Sequence, residues 1–144
     1  MLNREKKCNK IFVGKRSGER CIKQSTINQM MRDFVESGNI VVRLKGGDPF
    51  IFGRGGEEAI FLRDNHISFS IVPGISSGVG VATQAGIPLT HRDYSKGVLF
   101  LSGHECNDSD SINWKLVSQL DTTLVVYMGY NKLNKKPIQS YKTG

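Results

Sequence analysis

Apolar positions recur along the chain in two alternating rhythms. In "STINQMMRDFVESG" (25–38), Ile27, Met30, Met31, Phe34 and Val35 fall at i, i+3, i+4, i+7 and i+8. That is one face of a 3.6-residue period, so the spacing predicts an amphipathic helix. Ser25 stands where an N-cap belongs and Gly38 where a helix stops. "NIVVRL" (39–44) follows as a short apolar, β-branched run, the pattern of a buried parallel strand. "GEEAIFLRDN" (56–65) returns to a helical pattern, with Glu57 and Glu58 placed to favour its N-terminal dipole. The alternation continues with strands at 69–74 and 98–104, a helix of small residues at 76–86 that needs a close packing partner, a helix at 110–120 and a strand at 123–129. "KIFVG" (10–14) reads as one more strand. Strands alternating with helices predict an α/β fold with a largely parallel sheet.

The segment that breaks the rhythm is "RLKGGDPFIFGRGGEEA" (43–59), glycine-rich and set between a strand and a helix. In open α/β sheets, ligands bind at the carboxyl ends of strands, where such loops lie. Glycines let a ligand approach the backbone, whose N–H and C=O groups then make the contacts. Asp48 offers acceptors for an amine or hydroxyl, and Pro49 fixes the turn. No GK[ST] follows, so the loop is no P-loop, and it lacks the GxGxxG of a dinucleotide fold. A pair of glycines alone reads as a tight turn; this density beside Asp-Pro favours a binding loop.

Composition narrows the partners. Lysine and arginine outnumber acids 20 to 13, a net charge of +7 that favours polyanions, either nucleic acid or an acidic small molecule. The basic stretches carry neither interleaved aromatics nor a helix-turn-helix or zinc pattern, which ranks nucleic acid last. Three scattered cysteines, Cys8, Cys21 and Cys106, form no disulfide framework and suit a reducing cytoplasm. No two of His66, His91 and His104 are at i, i+4, and no cysteine stands at ligand spacing, so no metal site is expected. No apolar run reaches the roughly 20 residues of a membrane span, and the start has no secretory h-region.

"VGKRSG", "VVRLKGGDPFIFGRGGEEA", "VPGISSG", "AGIPLTHRDYS" and "LSGHE" stand in the order and spacing of one known family. Over about residues 9–130 the chain resembles the uroporphyrinogen III C-methyltransferases, members of the tetrapyrrole methylases of siroheme and cobalamin synthesis. The resemblance implies two α/β domains, a homodimer, and S-adenosylmethionine as methyl donor in the cleft between the domains. It implies C-methylation of uroporphyrinogen III, whose eight carboxylates suit the basic balance. By position it assigns Gly46, Gly47, Asp48 and Ile51 to the donor loop. Ser76 and Ser77 fall where the family has a Thr-Ala pair, and Met128 at a further donor contact. Lys15 corresponds to a proton donor. Taken alone, Met128 reads as core and Lys15 as a solvated lysine; the flanking motifs carry their assignment. Arg43, Arg54 and Arg92 could fork onto substrate carboxylates, a structural ion pair being at least as good a reading for each.

Family members begin with a strand and a "GPGD"-type loop, followed by an aspartate used as proton acceptor. Upstream of "KIFVGKRSG" this sequence has only "MLNREKKCN", and its last 15 residues carry four lysines and no acid. The expectation is a chain truncated at both ends: a partial donor and substrate domain at 1–92, a linker near 86–97, the start of a second domain at 93–144, and a disordered or weakly helical tail. Such a chain is expected to be inactive alone, the alternative to an enzyme being a remnant that binds S-adenosylmethionine without turnover.

Overall fold

A computed structural model describes residues 8–14, 22–103 and 112–129. The order of elements is α1 (Gln24–Glu36), α2 (Gly55–Asp64), α3 (Ser77–Gln84), β1 (Val98–Ser102), α4 (Trp114–Val117) and β2 (Thr123–Tyr127). The chain divides into two compact units, one of residues 1–44 and 54–71, the other of 45–53 and 72–144. The glycine loop thus belongs with the later half of the chain. The division expected at 92/93 falls inside the second unit.

In the first unit, α1 turns the expected stripe inward: Ile27 and Met31 are buried, with Asn28 beside them. Its N-cap is Lys23 rather than Ser25, and the cap makes no side-chain hydrogen bond. Ser25 therefore sits within the first turn. Gly38 ends the helix as expected. It adopts φ +80°, and the N–H groups of Gly38 and Asn39 turn back to Val35 and Phe34 C=O.

Glu58 of α2 does more than face a dipole. It is buried, and its Oε1 accepts from Arg43 Nε (3.1 Å) and Gln24 Nε2 (2.9 Å). Gln24 Nε2 also lies 2.9 Å from Asn28 Oδ1. One carboxylate therefore ties α1, the 39–44 segment and α2. The neighbouring Glu57 instead takes a forked pair of bonds from Arg54 at the surface, at 2.8 and 2.6 Å.

Three of the expected strands are corrected. Residues 10–14, 39–44 and 69–74 have no strand partner among the described residues, and the sheet consists of β1 and β2. A β-branched run states a demand for burial, but a strand exists only where a second backbone supplies the ladder. In 39–44 that demand is unmet: Ile40, Val42 and Leu44 are 93%, 74% and 81% exposed.

In the second unit, β1 and β2 run parallel, from Val98 opposite Thr123 to Ser102 opposite Tyr127. Thr123, Val125 and Tyr127 alternate inward, whereas Leu124 and Val126 are exposed. Helix α3 packs on β2 through Gly78, where a Cβ would lie 2.7 Å from Val125 Cγ1. This is the close packing that its small residues required. α4 is four residues long, far shorter than expected, with Asn113 Oδ1 accepting from Leu116 N–H at its start. The 86–97 stretch holds a tight turn: His91 and Ser95 exchange backbone hydrogen bonds, and Thr123 Oγ1 reaches Ser95 Oγ at 3.0 Å. The last 15 residues lie outside the described ones. No described helix is long and apolar enough to cross a membrane.

The Glu58 tie gives a stability test. Glu58→Ala strands a half-buried guanidinium and should cost about 2 kcal/mol, below the range for fully buried pairs because Arg43 keeps partial solvent contact. Glu57→Ala, at an exposed pair, should stay within about 0.5 kcal/mol. Urea unfolding of both variants checks this; equal midpoints would refute a special role for Glu58.

Candidate functional site

The expected donor contacts Gly46, Gly47, Asp48, Ile51, Ser76, Ser77 and Met128 all fall in the second unit. Two backbone turns and one strand end bring them near one another.

The first turn is the glycine loop. One oxygen of Asp48 accepts from Phe50 N–H at 2.8 Å, and Asp48 C=O accepts from Ile51 N–H at 3.3 Å. A side chain that bonds its own backbone two residues on makes a turn without help from elsewhere. The other Asp48 oxygen accepts from Gly74 N–H at 3.2 Å, joining the loop to the "PGISS" turn. Asp48 is therefore a brace of the loop first, and both its oxygens are engaged. At that join the backbones touch. A Cβ on Gly74 would lie 2.6 Å from Gly47 O, too close for any side chain. Gly47 itself has φ +105°, where L side chains are strained, and a Cβ there would approach Ile75 O at 3.4 Å. Gly46 differs. Its φ is not positive, and a Cβ would meet nothing within 4 Å. That side of the loop is open.

The second turn leads into α3. Ser76 is the N-cap residue and is buried, but its hydroxyl does not cap the helix. Instead its Oγ lies 2.6 Å from the Tyr127 hydroxyl, which also accepts from Gly78 N–H at 2.9 Å. Ser76 C=O receives the N–H groups of Val79 and Gly80. Ser77 is exposed, and its N–H and hydroxyl make no hydrogen bond among the described residues.

The strand end supplies Met128. It follows β2 directly, is exposed, and has φ +57°, unusual for a residue that is not glycine. Beside it, Gly103 N–H donates to Tyr127 C=O at 2.6 Å, and a Cβ on Gly103 would lie 2.8 Å from Gly129 Cα. The carboxyl ends of β1 and β2 therefore close on each other through glycines. The rings of Phe52, from the glycine loop, and Phe100, from β1, stand 4.8 and 5.9 Å from that of Tyr127.

Lys15, expected as proton donor, lies outside the described residues, as does His104. Of the arginines weighed for substrate carboxylates, Arg43 is engaged by Glu58 and Arg54 by Glu57, whereas Arg92 lies in the exposed 91–95 turn. Sequence reasoning passed over Tyr127, whose ring and hydroxyl touch two of the three segments and whose chain continues into the third. The available signal was a tyrosine at the end of an apolar strand, since a buried phenol needs a polar partner.

Residues 4–137 match the family described as Tetrapyrrole (Corrin/Porphyrin) Methylases. Siroheme synthase of Actinobacillus pleuropneumoniae serotype 7 (strain AP76) is 46% identical over 136 residues, which is 94% of this chain and 28% of that protein. Siroheme synthase of Buchnera aphidicola subsp. Acyrthosiphon pisum (strain APS) is 53% identical over 120 residues, 83% of this chain and 25% of that protein. The chain thus spans roughly a quarter of the length of these curated relatives. Among solved structures, the native uroporphyrin-III C-methyltransferase from Thermus thermophilus superposes with a TM-score of 0.66 at 35% identity, over 85% of this chain and half of that one. The same enzyme complexed with S-adenyl homocysteine gives a TM-score of 0.62 at 35% identity, over 76% of this chain and 47% of that one. With nearly its whole length matched, the chain belongs to the tetrapyrrole (corrin/porphyrin) methylase family.

Proposed function

We propose that these residues form the methyl-donor half of an S-adenosylmethionine-dependent C-methyltransferase acting on uroporphyrinogen III, on the route to siroheme or cobalamin. The observation that carries the reading is the convergence of Gly46–Asp48, Ser76–Ser77 and Met128 within one unit at the carboxyl end of its parallel strands. The solved relative complexed with S-adenyl homocysteine supports it.

The residues present suit such a donor. At Gly46 the open side of the loop lets a ligand approach bare backbone, and Ser77 holds an unengaged hydroxyl and N–H among the described residues. Met128 offers a flexible, polarizable thioether at the surface. When bound, S-adenosylmethionine supplies an electrophilic methyl group on a sulfonium sulfur. The chain's own task is to hold and orient: Asp48 and Gly74 keep the loop closed, and the backbone at 46–47 fixes one side of the ligand. Alignment of reacting atoms within near-attack distance supplies a large part of the rate, so rigid loops matter here beside any single acid or base. Lys15 is the proton donor of this reading. A homodimer and two domains dividing near residue 92 belong to the same reading.

Two outcomes test it. Calorimetric titration should detect S-adenosylhomocysteine binding to the chain, and Gly46→Val should weaken it at least about tenfold without loss of fold, because its side chain enters the open space. Gly47→Val would be the poorer test, since at φ +105° it damages the loop itself. A folded Gly46→Val protein that binds normally would refute the donor assignment.

Methyl transfer to uroporphyrinogen III, followed with labelled donor, separates an enzyme from a protein that only binds. Where transfer occurs, Lys15→Ala should slow it by about 10²–10⁴ while donor affinity stays unchanged. Equal losses in rate and affinity would remove Lys15 from the proton-transfer role.

A further inference from the structure

Tyr127 stands at the meeting point of the three segments that carry the candidate donor contacts, yet no motif gives it a part. Its oxygen accepts from Gly78 N–H, one of the first-turn donors of α3 that would otherwise lack a helical partner. That is the work of an N-cap side chain, here done by a residue 49 positions along the chain. The phenol keeps one proton, which it can share with Ser76 Oγ at 2.6 Å. Gly78 is what permits the approach: a Cβ there would lie 2.5 Å from the phenol oxygen. The ring is held between Phe52 of the glycine loop and Phe100 of β1, and the next residue is Met128.

We infer that Tyr127 is the positioning residue of the methyl-donor site. By taking over the cap of α3 it draws the Ser76 hydroxyl inward and leaves Ser77 outward, its N–H and hydroxyl unengaged among the described residues. By clamping its own ring it sets where Met128 leaves the strand. The inference rests on the donor reading proposed above.

The contrast between a positioning and a merely structural role is chemical. Without the phenol oxygen, Ser76 is free to rotate and cap α3 itself, as serine does readily. The fold then loses little, but the 76–77 turn is redirected. Tyr127→Phe is therefore expected to bind S-adenosylhomocysteine about tenfold more weakly, with a thermal midpoint within a few degrees of the parent. Asn113→Ala removes the cap of α4, a helix end outside the donor contacts, and should bind within about twofold of the parent. Isothermal calorimetry and thermal unfolding on the whole chain read both. If Tyr127→Phe binds as the parent does, or Asn113→Ala loses as much as Tyr127→Phe, the positioning role is overturned and the donor reading stands. If the parent itself does not bind S-adenosylhomocysteine, the donor reading falls and this inference with it.

Discussion

The carboxylate of Asp48 is the join on which the second unit's glycine loop and its 74–77 turn depend. One oxygen closes the glycine loop on Phe50 N–H, and the other reaches 26 residues along the chain to Gly74 N–H. The two backbones then lie so close that only glycine fits at position 74. A carboxylate has the acceptor capacity for both bonds at once, which an asparagine, with a single acceptor oxygen, meets less well. The bare backbone of the loop thus has two purposes. Gly47 and Gly74 serve loop-to-turn contact, and Gly46 leaves a side open.

The first unit is held in a comparable way. Its buried apolar side chains among the described residues are Ile27 and Met31, and the link between α1, the 39–44 segment and α2 runs through buried Glu58. A buried carboxylate contributes specificity of geometry more dependably than net stability, since its desolvation offsets much of the attraction. Glu58 accepts from both Arg43 and Gln24 at one oxygen, which makes it a register mark between distant segments.

Helices α1, α2 and α3 were legible in the sequence because their signals are local, whereas α4 is much shorter than its pattern predicted. The stripe of Ile27 and Met31, the stop at Gly38 and the small-residue face at Gly78 are all read from neighbours a few positions away. The cap at Lys23 instead of Ser25 shows the limit, since a serine signals a cap without fixing which turn begins the helix. Strands depend on a distant partner, and "NIVVRL" cannot name one; β1 and β2 found each other, whereas 39–44 has no partner among the described residues. For the candidate site, motif order named segments that fall in one unit. The part played by Tyr127 was not legible, because a hydroxyl reaching Gly78 across 49 positions leaves no trace in spacing.

Met128 has a consequence for how its position can vary. Its backbone is left-handed at φ +57°, a region that costs a residue with a side chain about 1 kcal/mol or more and a β-branched one more still. Glycine would relax that strain and lose the thioether; isoleucine would keep apolar bulk and aggravate the strain. An unbranched, flexible side chain is the compromise between them. On the donor reading proposed above, selection of random variants at this codon for thermal resistance and for ligand retention should recover different residues, a divergence expected where backbone comfort and side-chain reach are set against each other.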